Sequence, residues 1–507
     1  MFTTQFSISI LMTMEHTIHP AIAAYRPSIA LLLMALALGG CASNPDVPMS
    51  GAALSPDFRH AGALSPDALT ANLQWWQQFG DEQLIHLVEL SAVANHDIRR
   101  AVERAKQARA GTVLAESRLF PSVDVTASHS DSRTDLPALV KQVMPDTKAT
   151  RAGVEVAWEI DVFGSAKAAA SAAEKDAIAA TFGVSGAQLI AASEVARHYF
   201  IWQAARQRLE ILESLLQTQR DTERLTRSRH REGTASEFDV ARAAGETSSM
   251  EAALPPLRTL MAVTESRIAV LSGSDASMPV PELHVSAKPF HWCTPTAALT
   301  GQPADLLRRR PDLLAAEQRL SAESSRLDEA KANRFPKLFL SALFGSQELN
   351  LNDALSLSAS RYSNVAAAFV LPLFNAGRTQ AAIDAQSASE RESLLAYEQA
   401  ILSAVEDVES SLASVAGERQ RVDSLMAAAT QRERAVTHAN SLFRGGQIDL
   451  LQLLDAQRAR LSTELALAES HAQHAISYVQ LYKALGGGWQ ALPVPANAVN
   501  SSSGVKS

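Results

Sequence analysis

The sequence has little cysteine, few aromatic residues and no excess of basic charge. Cys41 and Cys293 are the only cysteines among 507 residues, so if Cys41 is acylated no internal disulfide can form and packing must hold the chain together. Aromatic residues make up 6% of the chain, a low share that is typical of Ala-rich helical bundles. The formal net charge is −8 and no basic stripe alternates with aromatic residues, which argues against nucleic acid as a partner.

Long apolar runs and catalytic motifs are also missing. Beyond residue 40 no run of about 18 uninterrupted apolar residues occurs, so no transmembrane helix is predicted there, and a mature chain that crosses a membrane must do so as β-strands. The chain has no His-Glu-x-x-His motif, phosphate loop or Gly-x-Ser-x-Gly motif, which argues against an enzyme and against a bound cofactor. His471 and His474 have no third ligand nearby in sequence, so no metal site is predicted.

The N-terminus carries a targeting signal. The apolar run 29–38 follows a positive charge, is too short to span a bilayer and fits the core of a signal peptide over residues 1–40. The segment Leu38–Cys41 resembles a bacterial lipobox, whose cysteine receives a diacylglyceryl group, so Cys41 is the predicted lipidation site. Ala42 follows in place of the aspartate that favours inner-membrane retention, which predicts the outer membrane. The alternative is an ordinary signal peptide cut nearby.

The C-terminal half contains a strand, a long helix, a tight turn and a return helix. The strand at about 362–372 alternates in side-chain type until Pro372 stops the ladder. From Asn375 to about Phe443 no proline occurs, and strong helix formers predict about 68 residues of helix, roughly 100 Å long. After the glycines of the turn, the return helix carries a coiled-coil seam of small and apolar residues.

The same order of elements occurs earlier in the chain. Phe120-Pro121 pairs with Phe335-Pro336 at an offset of 215 residues, and Gly233 pairs with Gly446 at an offset of 213. Other landmarks pair at offsets between 211 and 215. An ordered set of landmarks with so little drift predicts an internal duplication.

The repeats and the composition divide the chain into six regions. In order, these are the signal peptide 1–40, a lipidated tether 41–65, a first repeat 66–272, a connector 273–303, a second repeat 304–488 and a flexible tail 489–507. The first repeat has strands at about 121–131 and 150–161 and a helix hairpin at 164–272. The second repeat has strands at about 336–347 and 362–372 and a helix hairpin at 375–486. Pro255 and Pro256 must kink or break the first return helix. The run Arg308–Arg310 is predicted to be a solvated patch that bonds to carbonyls rather than an anion site.

The strand at 150–161 shows two different faces. Val154, Val156 and Trp158 fall on one face, and Glu155 and Glu159 fall on the other. A polar second face is expected of a strand whose inner side meets water in a channel, while a half-exposed strand of a soluble sheet is the alternative. Four strands cannot close a barrel, but three chains supply twelve strands and a cylinder of long helices, so the sequence predicts an oligomer.

Several motifs together resemble the TolC-like outer-membrane efflux proteins, and among them the NodT and OprM type of lipoprotein. The motifs are Trp75-Trp76 with Phe79 and Leu84, Trp158–Gly164, Leu306–Asp312, Asn333–Pro336, Pro372–Phe374 with Gly377, and Leu453–Arg458. The resemblance covers about residues 60 to 490. It implies an α+β membrane protein that is a homotrimer, with four β-strands per chain in a twelve-stranded outer-membrane β-barrel and long coiled-coil helices in a periplasmic α-barrel. It also implies a periplasmic adaptor and an inner-membrane pump, usually proton-driven, as partners.

The resemblance also assigns candidate sites. The two hairpin turns match the family's periplasmic tips, where adaptor hairpins dock, and bare helix-hairpin turns are the alternative; the tip residues are Arg231, Gly233, Thr234, Arg444, Gly445 and Gly446. Leu451, Asp455 and Arg458 match the periplasmic constriction, or gate, and share one helix face. The first-repeat position equivalent to Asp455 is Arg242, so any gating charge differs between the repeats. From one chain alone, Asp455 and Arg458 also fit a simple exposed intrahelical pair.

The sequence therefore predicts the outer-membrane channel of a tripartite efflux system, lipid-anchored and in contact with outer-membrane lipid. Such a channel is a passive exit duct for small amphiphilic compounds such as drugs, and its partners supply the energy. Two alternatives remain at this point: an outer-membrane duct for type I protein secretion, and a structural coiled-coil lipoprotein of the envelope. The second would have no use for lumen-facing side chains such as Glu155.

Overall fold

The computed structural model describes residues 55–60, 74–133, 135–141, 146–280, 283, 290–293, 303–351 and 355–493. All of them belong to the larger of two compact units, Val47–Ser507, which is the unit described here. The predicted signal peptide, the lipidation site Cys41 and most of the tether, the connector and the tail lie outside the described residues.

Helices dominate the described chain, and four strands interrupt them. The helices are α1 (Glu82–Ala94), α2 (His96–Ser117), α3 (Ala138–Lys141), α4 (Ser165–Arg231), α5 (Glu237–Ala252), α6 (Leu254–Leu271), α7 (Leu306–Arg309), α8 (Pro311–Ala332), α9 (Arg378–Arg444) and α10 (Leu450–Ala484). The strands are β1 (Ser122–Ser132), β2 (Thr147–Ile160), β3 (Lys337–Leu351) and β4 (Leu355–Val370). Short 3₁₀ helices cover Trp75–Phe79, Pro303–Asp305 and Trp489–Ala491.

The two repeats contain matching elements. The long helices α4 and α9 each have 67 residues, and α2 and α8 each have 22. The return helix of the second repeat is continuous as α10, whereas that of the first repeat is divided at Ala253 into α5 and α6. The division falls where Pro255 and Pro256 enter the first turn of α6, as predicted, because proline there needs no hydrogen-bonded N–H.

The four strands form one antiparallel sheet in the order β1-β2-β3-β4. In this register Val156 lies opposite both Val123 and Ala342, and Ala342 lies opposite Val365. Apolar side chains continue along this face, and many of them are exposed in the single chain, including Val125 at 84%. The face therefore needs an apolar environment outside the chain.

The opposite face of the sheet is the more polar one, although Phe339 and Leu343 lie on it, and it carries both predicted glutamates. Glu155 lies opposite Asp124 and Leu343. Glu159 forms an ion pair with Lys337 on β3, with 2.9 Å between the lysine nitrogen and the carboxylate oxygen. An antiparallel sheet with one apolar and one polar face separates two different environments.

The largest core cluster lies where the short N-terminal helices meet the long ones. Trp75 is fully buried, stacks on Tyr482 of α10 at 5.8 Å between ring centroids, and meets Trp76 edge-on. Asp81 caps α1 and also accepts a 2.6 Å hydrogen bond from the Tyr199 hydroxyl of α4. Burial, with help from the Asp81 carboxylate, raises the pKa of Tyr199, so this hydroxyl stays protonated and remains a donor. The cluster therefore joins the first residues of the fold to both repeats.

Arg310 does not belong to a solvated patch, as was predicted for the run Arg308–Arg310. Its side chain is only 12% exposed, so the predicted solvated patch is wrong at this position. The guanidinium bonds to both carboxylate oxygens of Asp312, to Asp407 on α9 at 3.0 Å, and to the backbone carbonyl of Ala484 at 3.1 Å. A carbonyl contact was predicted and is present. Arg310 thus ties α8, α9 and the end of α10 together, because five donors in a fixed fork suit such a junction.

One described helix, α4, contains an 18-residue window with a mean hydropathy of 1.3, long and apolar enough by composition to span a membrane. Half of that window is buried inside the chain. This is the pattern of a core helix, and α4 packs against α2, α8, α10 and α6.

Gly273, just after α6, allows a test of the packing between the helices. Its φ is +74°, and an added Cβ would lie 2.5 Å from the carbonyl oxygen of Ala94. We expect Gly273→Ala to lower the free energy of unfolding by about 2–4 kcal/mol, because left-handed strain and a backbone clash combine. Denaturant unfolding in detergent measures the change. Gly164→Ala is the matched control, since its φ is +80° but no atom lies within 4 Å, and a loss equal to that of Gly273→Ala would contradict the clash.

Candidate functional site

The predicted gate residues lie near the start of α10. Asp449 caps this helix by accepting a hydrogen bond from the backbone N–H of Gln452. Leu451 is 38% exposed, and the side chains of Asp455 and Arg458 are 59% and 46% exposed, so all three face away from the core of the chain. An apolar side chain and two opposite charges thus stand on one open face of the helix.

Arg458 is held chiefly by a residue that the sequence did not reveal. Its Nε donates a 2.8 Å hydrogen bond to Glu246 on α5, whereas the closest Asp455 oxygen is 3.5 Å from its Nη1. Glu246 is the better shielded partner, with 15% of its side chain exposed. The hydrogen bond from Arg458 to Glu246 raises the pKa of Arg458. The ion pair therefore joins the return helices of the two repeats and is more than a pair within one helix.

The Arg458–Glu246 pair lies at the rim of a small cavity between four helices. The cavity has a volume of about 50 Å³ and is walled by Leu215, Met250 and Val436, among other residues. Because close-packed side chains surround it on α4, α5, α9 and α10, the two return helices cannot separate without repacking this seam. The ion pair and the packing behind it therefore move together.

Both predicted tips have the same backbone geometry. At the first tip Gly233 has a φ of +79°, and the Thr234 N–H donates to the Arg229 carbonyl at 2.8 Å. At the second tip Gly446 has a φ of +70°, and the Gln447 N–H donates to the Leu442 carbonyl at 2.8 Å. These are Schellman endings, and glycine takes the left-handed position in each because no Cβ opposes it.

A single arginine joins the two tips. The Arg229 guanidinium lies over the Phe443 ring at 4.5 Å and donates hydrogen bonds to the carbonyls of Phe443 and Arg444, at 3.2 and 3.4 Å. These carbonyls are at the C-terminal end of α9, where a cation is favoured by the helix dipole. Arg231 and Arg444 are exposed beside this junction. The structure thus brings the two sets of predicted tip residues together into one surface.

The histidine pair that the sequence singled out does not build a metal site. His471 stacks on Trp292 at 5.8 Å between ring centroids, and His474 is buried beside Tyr478. Burial lowers the pKa of both histidines. Across the described residues, no group of three or more His, Cys, Asp or Glu side chains is placed to hold a metal ion.

Comparisons with known proteins agree with this arrangement. The family model described as outer membrane efflux protein matches residues 87–274 and 303–487, which are the two repeats. The chain belongs to the outer membrane efflux protein family. It is 31% identical to the pyoverdine export outer membrane protein OpmQ of Pseudomonas aeruginosa over 469 residues, which cover 92% of this chain and 97% of OpmQ.

Two further relatives support the same placement of this efflux protein. Nodulation protein T of Rhizobium leguminosarum bv. trifolii is 28% identical over 90% of this chain and 96% of its own length. The solved outer-membrane channel OprN is 28% identical, with a TM-score of 0.78 over 87% of this chain and 98% of its own. The predicted branch, the NodT and OprM type, is confirmed. This efflux protein is an outer-membrane channel component, and its relatives are transport proteins rather than enzymes.

Proposed function

We propose that three copies of this efflux protein assemble into one duct, with twelve strands closing a β-barrel in the outer membrane and the long helices forming an α-barrel in the periplasm. The observation that carries the proposal is the sheet itself. Strands β1 and β4 are its edges, and one face is apolar and exposed. Edge strands and an apolar face cannot both stay unpaired in a lipid bilayer, and pairing β4 of one copy with β1 of the next removes every edge.

The same assembly assigns the polar face of the sheet to the water-filled lumen. Glu155 and Glu159 then line the barrel interior, and the valine-rich face contacts outer-membrane lipid. Native mass spectrometry of the purified protein in detergent tests the assembly. A mass of three chains is expected, and a monomer that persists under mild conditions would contradict it.

The tips are proposed to dock a periplasmic adaptor, through which a proton-driven inner-membrane pump supplies the energy. Support comes from the matched Schellman turns and from the Arg229 contact that joins them. Relatives of this chain include an antibiotic efflux pump outer membrane protein of Pseudomonas putida. A surface made of two tips gives the partner a wider and better ordered docking site than one bare turn.

Arg229 gives this docking proposal a sharp test. We expect Arg229→Met to lower adaptor-dependent efflux several-fold, because the two tips lose their shared hydrogen bonds while the apolar stem still covers Phe443. Efflux of a fluorescent dye from whole cells measures the effect. Arg224→Met is the control, since Arg224 is exposed and, among the residues that the structure describes, pairs with Asp221 on its own helix. Equal efflux in Arg229→Met and wild-type cells would contradict a joint tip surface.

Leu451, Asp455 and Arg458 are proposed to close the periplasmic end of the duct. Three copies would place three carboxylates and three guanidinium groups at one level, with Glu246 holding each Arg458 in position. Opening would then require these ion pairs to rearrange as the return helices separate.

Cys41 is proposed to carry the lipid anchor. We expect Cys41→Ser to abolish incorporation of radiolabelled palmitate, because only a thiol accepts the diacylglyceryl group. Labelled cells followed by immunoprecipitation measure this, with Cys293→Ser as the control that keeps the label. Label retained by Cys41→Ser would show that another residue is acylated or that the signal peptide is of the ordinary type.

The cargo is proposed to be small amphiphilic compounds such as drugs. Relatives are named for the export of pyoverdine and for the efflux of toluene, antibiotics and cations, a range of small solutes. Export of proteins through a type I system is the second candidate, because the fold does not by itself determine the cargo. Comparing the proteins secreted by cells with and without the channel separates the two, since only the second candidate predicts a missing secreted protein.

A further inference from the structure

The return helix α5 carries side chains at positions equivalent to those of the gate residues on α10. Each return helix begins after a capped turn, at Ser236 for α5 and at Asp449 for α10. Counted from these caps, Phe238 occupies the same position as Leu451, and Arg242 the same position as Asp455. Phe238 is 69% exposed and Arg242 is partly exposed, so both side chains of this stripe reach the surface of the chain.

The ion pair between Arg458 and Glu246 fixes how the two helices face each other. Both helices leave neighbouring tips, which Arg229 joins, and therefore run side by side in the same direction. Arg242 lies four residues before Glu246, and Asp455 lies three residues before Arg458. At about 100° per residue, Arg242 is turned about 40° from Glu246, and Asp455 is turned about 60° from Arg458 in the opposite sense.

On two parallel helices that face each other, side chains displaced from the contact line in opposite rotational senses lie on the same side of the groove between the helices. Arg242 and Asp455 thus lie on the same side of the Arg458–Glu246 bridge. At about 1.5 Å per residue, Arg242 is about 6 Å below Glu246 and Asp455 about 4.5 Å below Arg458, so the two lie at nearly one height. Four charges, Glu246, Arg458, Asp455 and Arg242, then alternate in sign around a square.

Three sides of this square are already defined and the fourth is open. Glu246 binds Arg458, Arg458 lies 3.5 Å from Asp455, and Arg242 is one helical turn from Glu246 on α5. The guanidinium of Arg242 lies 5.8 Å from the Phe238 ring centre, and among the described residues it has no ion pair with a carboxylate. Asp455 is 59% exposed, with only the long contact to Arg458. Among the described residues, Arg242 therefore has no carboxylate partner and Asp455 has only a weak one.

We propose that Arg242 is a gate residue, and that it closes the square by pairing with Asp455 of the same chain across the groove between α5 and α10. This inference rests on the proposed gate and adds a first-repeat residue to it. Closing the fourth side binds the return helices of the two repeats at a second point, nearer the tips. A partner that draws the two tips apart must break this pair before the Arg458–Glu246 pair.

A double-mutant cycle on the resting conductance tests the proposal. Purified wild-type protein and the variants Arg242→Gln, Asp455→Asn and the double variant are compared in planar lipid bilayers. Each single variant is expected to raise the ratio of open to closed channels by about two- to fivefold for each chain that carries it. The double variant is expected to raise this ratio no more than Asp455→Asn does alone. Arg220→Gln is the control, because Arg220 forms a different ion pair between α4 and α5, with Glu251, and its loss is expected to leave conductance unchanged.

The outcomes distinguish this proposal from the gate on which it rests. If Asp455→Asn leaves the closed state unchanged, the gate assignment fails. If Asp455→Asn opens the channel but Arg242→Gln does not, or if their effects multiply, only the role of Arg242 fails.

Cross-linking provides a second measurement. Arg242→Cys with Asp455→Cys in a Cys293→Ser background, treated with a bifunctional maleimide, should give a cross-linked peptide within one chain and hold the channel closed. Cross-links only between chains, or none, would overturn the pairing.

Discussion

Replacing Asp455 and Arg458 together by alanine is expected to open the channel at rest. Each chain loses the bond from Arg458 to Glu246 and the contact between Arg458 and Asp455. An ion pair of this exposure contributes about 0.2–1 kcal/mol, so one such pair in each of three copies contributes about 0.6–3 kcal/mol to the closed state. Since 1.4 kcal/mol is a factor of ten, the open-to-closed ratio should rise about 3- to 140-fold. Single-channel recording in a lipid bilayer measures this rise.

The control for the gate variant is an arginine–glutamate pair with one member on the gate helix α10. Arg208 on α4 contacts Glu469 on α10 at 2.9 Å, with 29% and 41% of the side chains exposed, but it lies well above the tips. Alanine at both of these positions should leave the resting conductance near that of the wild type. A closed state that survives in the Asp455 and Arg458 variant would remove these residues from the gate.

Trp75→Ala is expected to have the largest effect on stability. The indole is fully buried and touches the rings of Trp76, Phe79 and Tyr482. Removing a buried indole leaves a cavity as well as losing apolar burial, so we expect a loss of about 3–5 kcal/mol in the free energy of unfolding. The midpoint of denaturant unfolding in detergent should fall accordingly, and cells should contain less folded protein.

Val93→Ala on α1 is the control for the tryptophan variant, because Val93 is 56% exposed. It should change the unfolding midpoint only slightly. If Trp75→Ala unfolded at the wild-type midpoint, the aromatic cluster would not be the structure that fixes α4 and α10 together.

Most of the fold was predictable because its signals are local. Uninterrupted helix formers gave the long helices, the glycines at 233 and 446 marked the tips, and Pro255 and Pro256 marked the break between α5 and α6. Strand length was predicted less well: β4 starts at Leu355, about seven residues before the expected strand, although the alternation of apolar residues with serine over Leu355–Ser360 is a strand signal.

Partners distant in the sequence were not predictable. Glu246 stands 212 residues before Arg458, and a lone glutamate on an amphipathic helix gives no sign that it faces the gate. The same is true of Arg229, which reaches across to the end of α9, and of Arg310, which reads as part of a basic run but is buried against three elements. Sequence periodicity assigns a residue to a helix face, but only packing determines what that face meets.

The two repeats place unlike charges at equivalent positions of their return helices. Both α5 and α10 begin at a side-chain cap, Ser236 and Asp449, and six residues after these caps lie Arg242 and Asp455. Under the proposed pairing of Arg242 with Asp455, like charges at these positions would repel each other, whereas opposite charges make them complementary.

The central claim, that this protein is an exit duct for small amphiphilic compounds, is tested most directly by accumulation. The measurement compares the uptake of amphiphilic dyes and antibiotics in cells lacking this protein, and in the same cells with it restored, in a strain without other outer-membrane ducts. Accumulation should rise on deletion and return to the original level on restoration. Equal accumulation in both strains for every compound of the panel would contradict the claim.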